Sequence, residues 1–245
     1  MLTRIVSKAR VSHARRSPCA FSQTIRWISH KTRCEDGTLI VKHNPAPGAP
    51  RLAPTPIVLI GSTDLECDGG AFLAFGDTLC SEASFRGFSC FQFDLAYKRA
   101  ENADINAKEI MDRLASHLRS LISTAEAPFP PVLYARQLGC LIAQTYVSSY
   151  PVSALILDSP PLSCGSLSSW PGLNERFPLP LPEFTYEPKF PILVMERRSA
   201  GGVLKNSRLA IEGADYTEVC ENRLENGVIP NRSRAVEQWI DELGF

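Results

Sequence analysis

Four short apolar runs recur along the chain, at residues 56–60, 131–134, 153–157 and 191–195, and stretches of helical pattern lie between most of them. A continuous apolar run marks a strand buried on both faces, because neither side meets water and the usual alternation is lost. The first run ends in Gly61 and the third in Asp158. Further strands are expected at 38–42, at 89–93 before Asp94, and at 215–220. Helices are expected at 71–85, 138–149 and 232–243, the last with Val236, Ile240 and Leu243 on one face. A fourth helix opens at Asn106, where Glu109 stands at capping-box spacing and Ile110, Leu114, Leu118 and Leu121 make one stripe. Strands that alternate with helices specify an α/β fold, a mostly parallel sheet with helices on both faces, joined by right-handed crossovers. The loop at 44–54 holds four prolines. Residues 163–188, rich in Pro, Ser and Gly, read as a short excursion across the top of the sheet, carrying Trp170, Phe177 and Phe184.

The chain has 245 residues, the size of one α/β domain, and its formal net charge is +0. A balanced charge argues against nucleic-acid binding by bulk electrostatics. No apolar run approaches the ~20 residues of a membrane span. The charge is nevertheless uneven, since no acidic residue occurs before Glu35. Arg4, Lys8, Arg10, Arg15, Arg16, Arg26, Lys31 and Arg33 lie in that window, while Leu2, Ile5, Val6 and Ala9 form a helical stripe. An Arg-rich, Ser-containing, acid-free amphipathic start suits a mitochondrial presequence over 1–34, followed by the domain at 35–245. Arg26-Trp27-Ile28-Ser29 is similar to a processing site, with cleavage near Ile28. The expected location is the mitochondrial matrix. No two of the eight cysteines lie closer than ten positions, so no C-x-x-C motif exists. Asp64, Glu66 and Asp68 approach calcium-loop spacing, but Phe75 stands where that loop needs Glu. No metal or cofactor is therefore expected.

The junction between the second apolar run and its helix reads Ala135-Arg136-Gln137-Leu138-Gly139-Cys140. Small residues two before and two after the tip let a strand turn sharply into a helix. With the element order, this junction and the stretch "LIAQTYVSSYPVSALILDSPPL" that follows it resemble the α/β-hydrolase superfamily, from about residue 38 to the end. In that family the junction is G-x-S-x-G, with a nucleophilic serine at the tip. Here the tip is Gln137, and an amide has no ionisable O–H or S–H to act as a nucleophile. The family's general base is a histidine after the last strand, yet the four histidines are His13, His30, His43 and His117. The His-Gly that opens the family's oxyanion loop is replaced by Ile60-Gly61-Ser62.

The resemblance therefore implies a degenerate member, a mitochondrial protein that keeps the fold and lacks the mechanism. Such a protein acts as a scaffold, an assembly factor or a ligand binder, its partner being a mitochondrial protein or a small apolar molecule. The alternative is an ester or thioester hydrolase with a non-standard centre. Weak catalytic candidates are Cys140, at the start of the elbow helix, and Asp158 and Glu196, at the two positions where relatives carry the acid. Gly61, Ser62, Gln137, Leu138, Trp170 and Phe177 are the expected ligand-binding residues.

Overall fold

A computed structural model describes residues 29–65, 69–97, 105–125, 128–220 and 231–245. Residues 1–28 of the presequence expected at 1–34, the middle of the calcium-like loop at 66–68, and the loop at 221–230, where the family's histidine would stand, lie outside the described residues. The elements run β1 (Ser29–Arg33), β2 (Leu39–His43), β3 (Ile57–Gly61), α1 (Gly69–Phe85), β4 (Cys90–Asp94), α2 (Ala107–Thr124), β5 (Val132–Arg136) and α3 (Gly139–Val147). They continue with β6 (Ala154–Asp158), α4 (Leu173–Arg176), β7 (Ile192–Arg197), α5 (Arg208–Ile211), β8 (Asp215–Val219) and α6 (Arg232–Glu242).

One eight-stranded sheet runs in the order β1-β2-β4-β3-β5-β6-β7-β8. β1 and β2 pair antiparallel, β2 joins β4 antiparallel, and every pairing from β4 to β8 is parallel. β3, β5 and β6 are buried at every position, as their apolar runs require, and the charged residues that end β5 and β6, Arg136 and Asp158, are buried beside each other. Each strand sends alternate side chains to two cores. Ile60, Leu133, Leu155 and Val194 pack against α2 and α3, with Leu118 and Ile142 among the contacts. Ile57, Tyr134, Ile156 and Leu193 pack against α1 and α6, with Leu79 and Trp239 among theirs. Full burial of one such Leu, Ile or Phe side chain contributes roughly 1.5–3 kcal/mol. The Asn106 side chain caps α2 by accepting from the Glu109 N–H at 2.9 Å, as its spacing predicts. Among the described residues no helix is long and apolar enough to cross a membrane.

The sheet begins at Ser29, within the segment 1–34 expected as a presequence. β1 is polar and largely exposed, so it carries no hydrophobic period for a sequence reading to detect. Backbone pairing makes it a strand. A turn at Cys34–Gly37 folds it onto β2, with Gly37 at φ 103 and its N–H on the Cys34 carbonyl. The Asp36 side chain accepts from the Thr38 N–H and hydroxyl. The segment after β6 packs against the core. Leu167, Leu173, Phe177 and Leu181 anchor it into the core on the α2–α3 side, and the Ser163 side chain caps its first turn by accepting from the Ser166 N–H.

Candidate functional site

β5 ends at Arg136 and α3 begins at Gly139, which leaves a two-residue turn with Gln137 at φ 48. That left-handed conformation is unfavourable for a residue with a Cβ. It is held by two backbone bonds, from the Gln137 N–H to the Asp158 carbonyl at 2.9 Å and from the Cys140 N–H to the Gln137 carbonyl at 3.1 Å. The steric demand on the flanks is explicit. A Cβ on Gly139 would lie 2.7 Å from the Ile60 carbonyl oxygen, and Ala135 is fully buried. The end of β6 repeats the conformation one strand over, where Ser159 has φ 55 and donates its N–H to the Met195 carbonyl at 2.8 Å. Two adjacent strands thus present non-glycine residues in left-handed geometry at the same sheet edge.

Both acid positions are occupied by structural contacts. Asp158 is fully buried. Its Oδ2 accepts from the Tyr134 hydroxyl at 2.8 Å and its Oδ1 from Ser159 Oγ at 2.9 Å. Arg232 Nε approaches the same Oδ2 at 2.7 Å and Arg136 Nε at 3.8 Å. Two guanidinium groups therefore flank one carboxylate. Burial, and then the charge of Asp158, push the Tyr134 phenol well above its ordinary range, so it stays protonated and donates. Glu196 clamps the loop after β7. Its Oε1 accepts from the Val203 N–H at 2.9 Å, and its Oε2 from the Leu204 N–H at 3.0 Å and the Tyr216 hydroxyl at 2.7 Å. Burial and then the hydrogen bond to Glu196 raise the Tyr216 phenol, which keeps that donor protonated as well.

Above the elbow lies a cleft of about 390 Å³. Gln137 and Ser159 form part of its lining, with Pro160 and Pro161 beside them and Trp170, Leu162, Val203 and Leu204 as apolar walls. Glu196 and Arg197 also reach it. Of the residues expected to bind ligand, Gln137 and Trp170 meet here. Phe177 does not: it is buried, packs edge-on to Tyr97 at a 6.2 Å centroid distance, and anchors the lid. Leu138 is likewise a core residue. Gly61 is required by packing, since a Cβ there would come within 2.6 Å of the Phe72 ring. Ser62 is 1% exposed, and its hydroxyl has no hydrogen-bond partner among the described residues. Cys140 is fully buried, and its thiol faces the Ala135 carbonyl at 3.3 Å. It does not line the cleft, which removes it as an accessible nucleophile. Sequence reasoning missed Arg136 and Arg232 as the partners of Asp158. The only available signal was a charged residue ending an apolar strand. Asp64, from the calcium-like spacing, accepts the Tyr97 N–H at 2.8 Å.

No protein-family model matches the chain, and no curated protein matches its sequence. Solved structures do match. A protein from Lactobacillus plantarum WCFS1 proposed to be a carboxylesterase superposes with a TM-score of 0.60 at 10% identity, covering 88% of this chain and 97% of that one. A hormone-sensitive lipase from a metagenome library gives 0.54 at 13% identity, over 78% of this chain and 75% of that one. An α/β serine hydrolase without a lid from Xanthomonas campestris gives 0.51 at 12% identity, over 88% and 89%. At such low identity the likeness speaks to the fold, and the fold is that of the α/β hydrolases.

Proposed function

We propose that this protein binds a small, largely apolar ligand in the cleft above the β5 elbow and does not hydrolyse it. The observation that carries the reading is the tip residue. Gln137 holds a strained left-handed backbone at the wall of an open cleft, in the place where a hydrolase needs a nucleophile, and an amide side chain can bind but cannot attack. The acid positions support it. Asp158 and Glu196 are committed to neighbouring arginines, hydroxyls and backbone N–H groups, and no histidine follows His117 for either to orient. An open cleft favours binding over a purely scaffolding role, which would tolerate a filled one. Apolar walls around a few polar groups are the usual character of a small-molecule site. We further propose that residues 1–34 direct the chain to mitochondria, as their acid-free basic composition suggests.

The test uses the full chain. Thermal shift against short acyl esters, acids and amides should give at least one saturable rise in Tm, and none of the esters should turn over faster than in buffer. Fluorophosphonate probes should leave the protein unlabelled. A flat thermal screen would sink the binding reading. Ester turnover that vanishes on substituting Cys140 or Asp158 would establish the hydrolase alternative instead.

A further inference from the structure

The geometry points to an uncharged carboxamide-bearing molecule with an apolar body as the occupant of the elbow cleft, an inference that rests on the binding reading above. The side-chain amide of Gln137 borders the cleft and has no hydrogen-bond partner among the described residues. It presents an N–H₂ donor and a carbonyl acceptor side by side. Beside it, the Ser159 hydroxyl donates its hydrogen bond to Asp158 Oδ1 and offers only lone pairs to the cleft. The polar floor is therefore rich in acceptors and needs a ligand that donates as well as accepts.

A carboxamide meets that need with a reciprocal pair, its N–H on the Gln137 carbonyl and its C=O on the Gln137 N–H₂. A carboxylate has no donor. It would set its oxygens against the Gln137 carbonyl and the Ser159 lone pairs, and would lose its hydration as well. The ionised groups at the wall give an anion no net attraction. Glu196 and Arg197 carry opposite formal charges side by side. The remaining walls suit an apolar body. Leu162 and Val203 are 44% and 48% exposed at the cleft, and Trp170 adds an aromatic face.

A matched pair of probes tests the inference. Titration calorimetry on the full chain with phenylacetamide and with phenylacetate should show the amide binding at least tenfold more tightly. Gln137→Met keeps the side-chain length without the amide and should weaken phenylacetamide at least fivefold, with the melting temperature unchanged. Gln137→Glu, should the Met variant fold poorly, keeps the shape while replacing the donor with a negative oxygen, and it should weaken the amide to a similar extent. Phenylacetate binding as tightly as phenylacetamide, or an amide affinity indifferent to both variants, would overturn the ligand class while leaving a binding cleft. Failure of both probes to bind would overturn the ligand class alone, and the thermal screen across esters, acids and amides decides the binding reading separately.

Discussion

Gln137 keeps a side chain where the backbone favours glycine. At φ 48 a glycine would relieve strain on the order of 1 kcal/mol. Gln137→Gly is therefore expected to stabilise the protein by up to about 1 kcal/mol in urea unfolding while abolishing ligand binding, and a loss of stability would mean that the side chain serves the fold. Asp158 is the opposite case. It lies between Arg136 and Arg232, and both guanidinium groups are nine-tenths shielded or nearly so. Asp158→Asn leaves two buried positive charges facing a neutral amide, and breaking such a pair costs about 3–5 kcal/mol. Urea denaturation of the variant should show a loss of that order, whereas an unchanged midpoint would remove Asp158 from the structural account. The elbow turn was legible in the sequence because it needs small residues at fixed positions around its tip. The pairing of Asp158 with Arg232 was not, since contacts between distant side chains leave no period to read. Phe177 misled for a related reason: an aromatic residue in a lid reads the same whether it walls a cleft or anchors a segment.

Among the elements, β3, β5, β6 and β7 were readable because burial on both faces leaves apolar runs, with charged residues only at the ends of β5, β6 and β7. β1 was not, because an edge strand held by backbone pairing to β2 needs no apolar face. The same edge is tied down by a polar contact. His43 of β2 is buried, with Nε2 3.2 Å from Gln92 Nε2 of β4 and 3.6 Å from Asp77 of α1, while Lys31 of β1 reaches Asp77 at 3.4 Å. Burial lowers the His43 pKa below its ordinary 6.5, partly countered by Asp77 and reinforced by Lys31. A histidine with a depressed folded pKa takes up its proton more readily when unfolded. Stability is then full above pH 6.5 and falls as the pH drops from there through the lower folded value. Unfolding free energy should decline between pH 7.5 and 5.5 in the wild type. His43→Gln should flatten that slope, and identical slopes in the two proteins would contradict the assignment.

At the scale of the whole molecule, the sheet, its two cores and the short lid place an open cleft at the elbow without a nucleophile–base pair among the described residues. The fold followed from strand–helix alternation, while the shape of the cleft depended on lid and loop packing that composition does not encode. The basic segment before the sheet makes a separate prediction. Residues 1–34 fused to a fluorescent protein should deliver it to mitochondria, and exchanging Arg4, Lys8 and Arg10 for Gln should leave it in the cytosol. Equal distribution of the two fusions would rule out a charge-driven presequence. For the cleft itself, the most direct measurement is an NMR titration of the full chain with phenylacetamide in the presence of methyl phenylacetate, following the Trp170 indole N–H and the ester signals in one sample. The account predicts a saturable shift of that resonance with the ester intact at the end of the titration. Ester loss faster than in buffer, or an indole resonance that never moves, would contradict it.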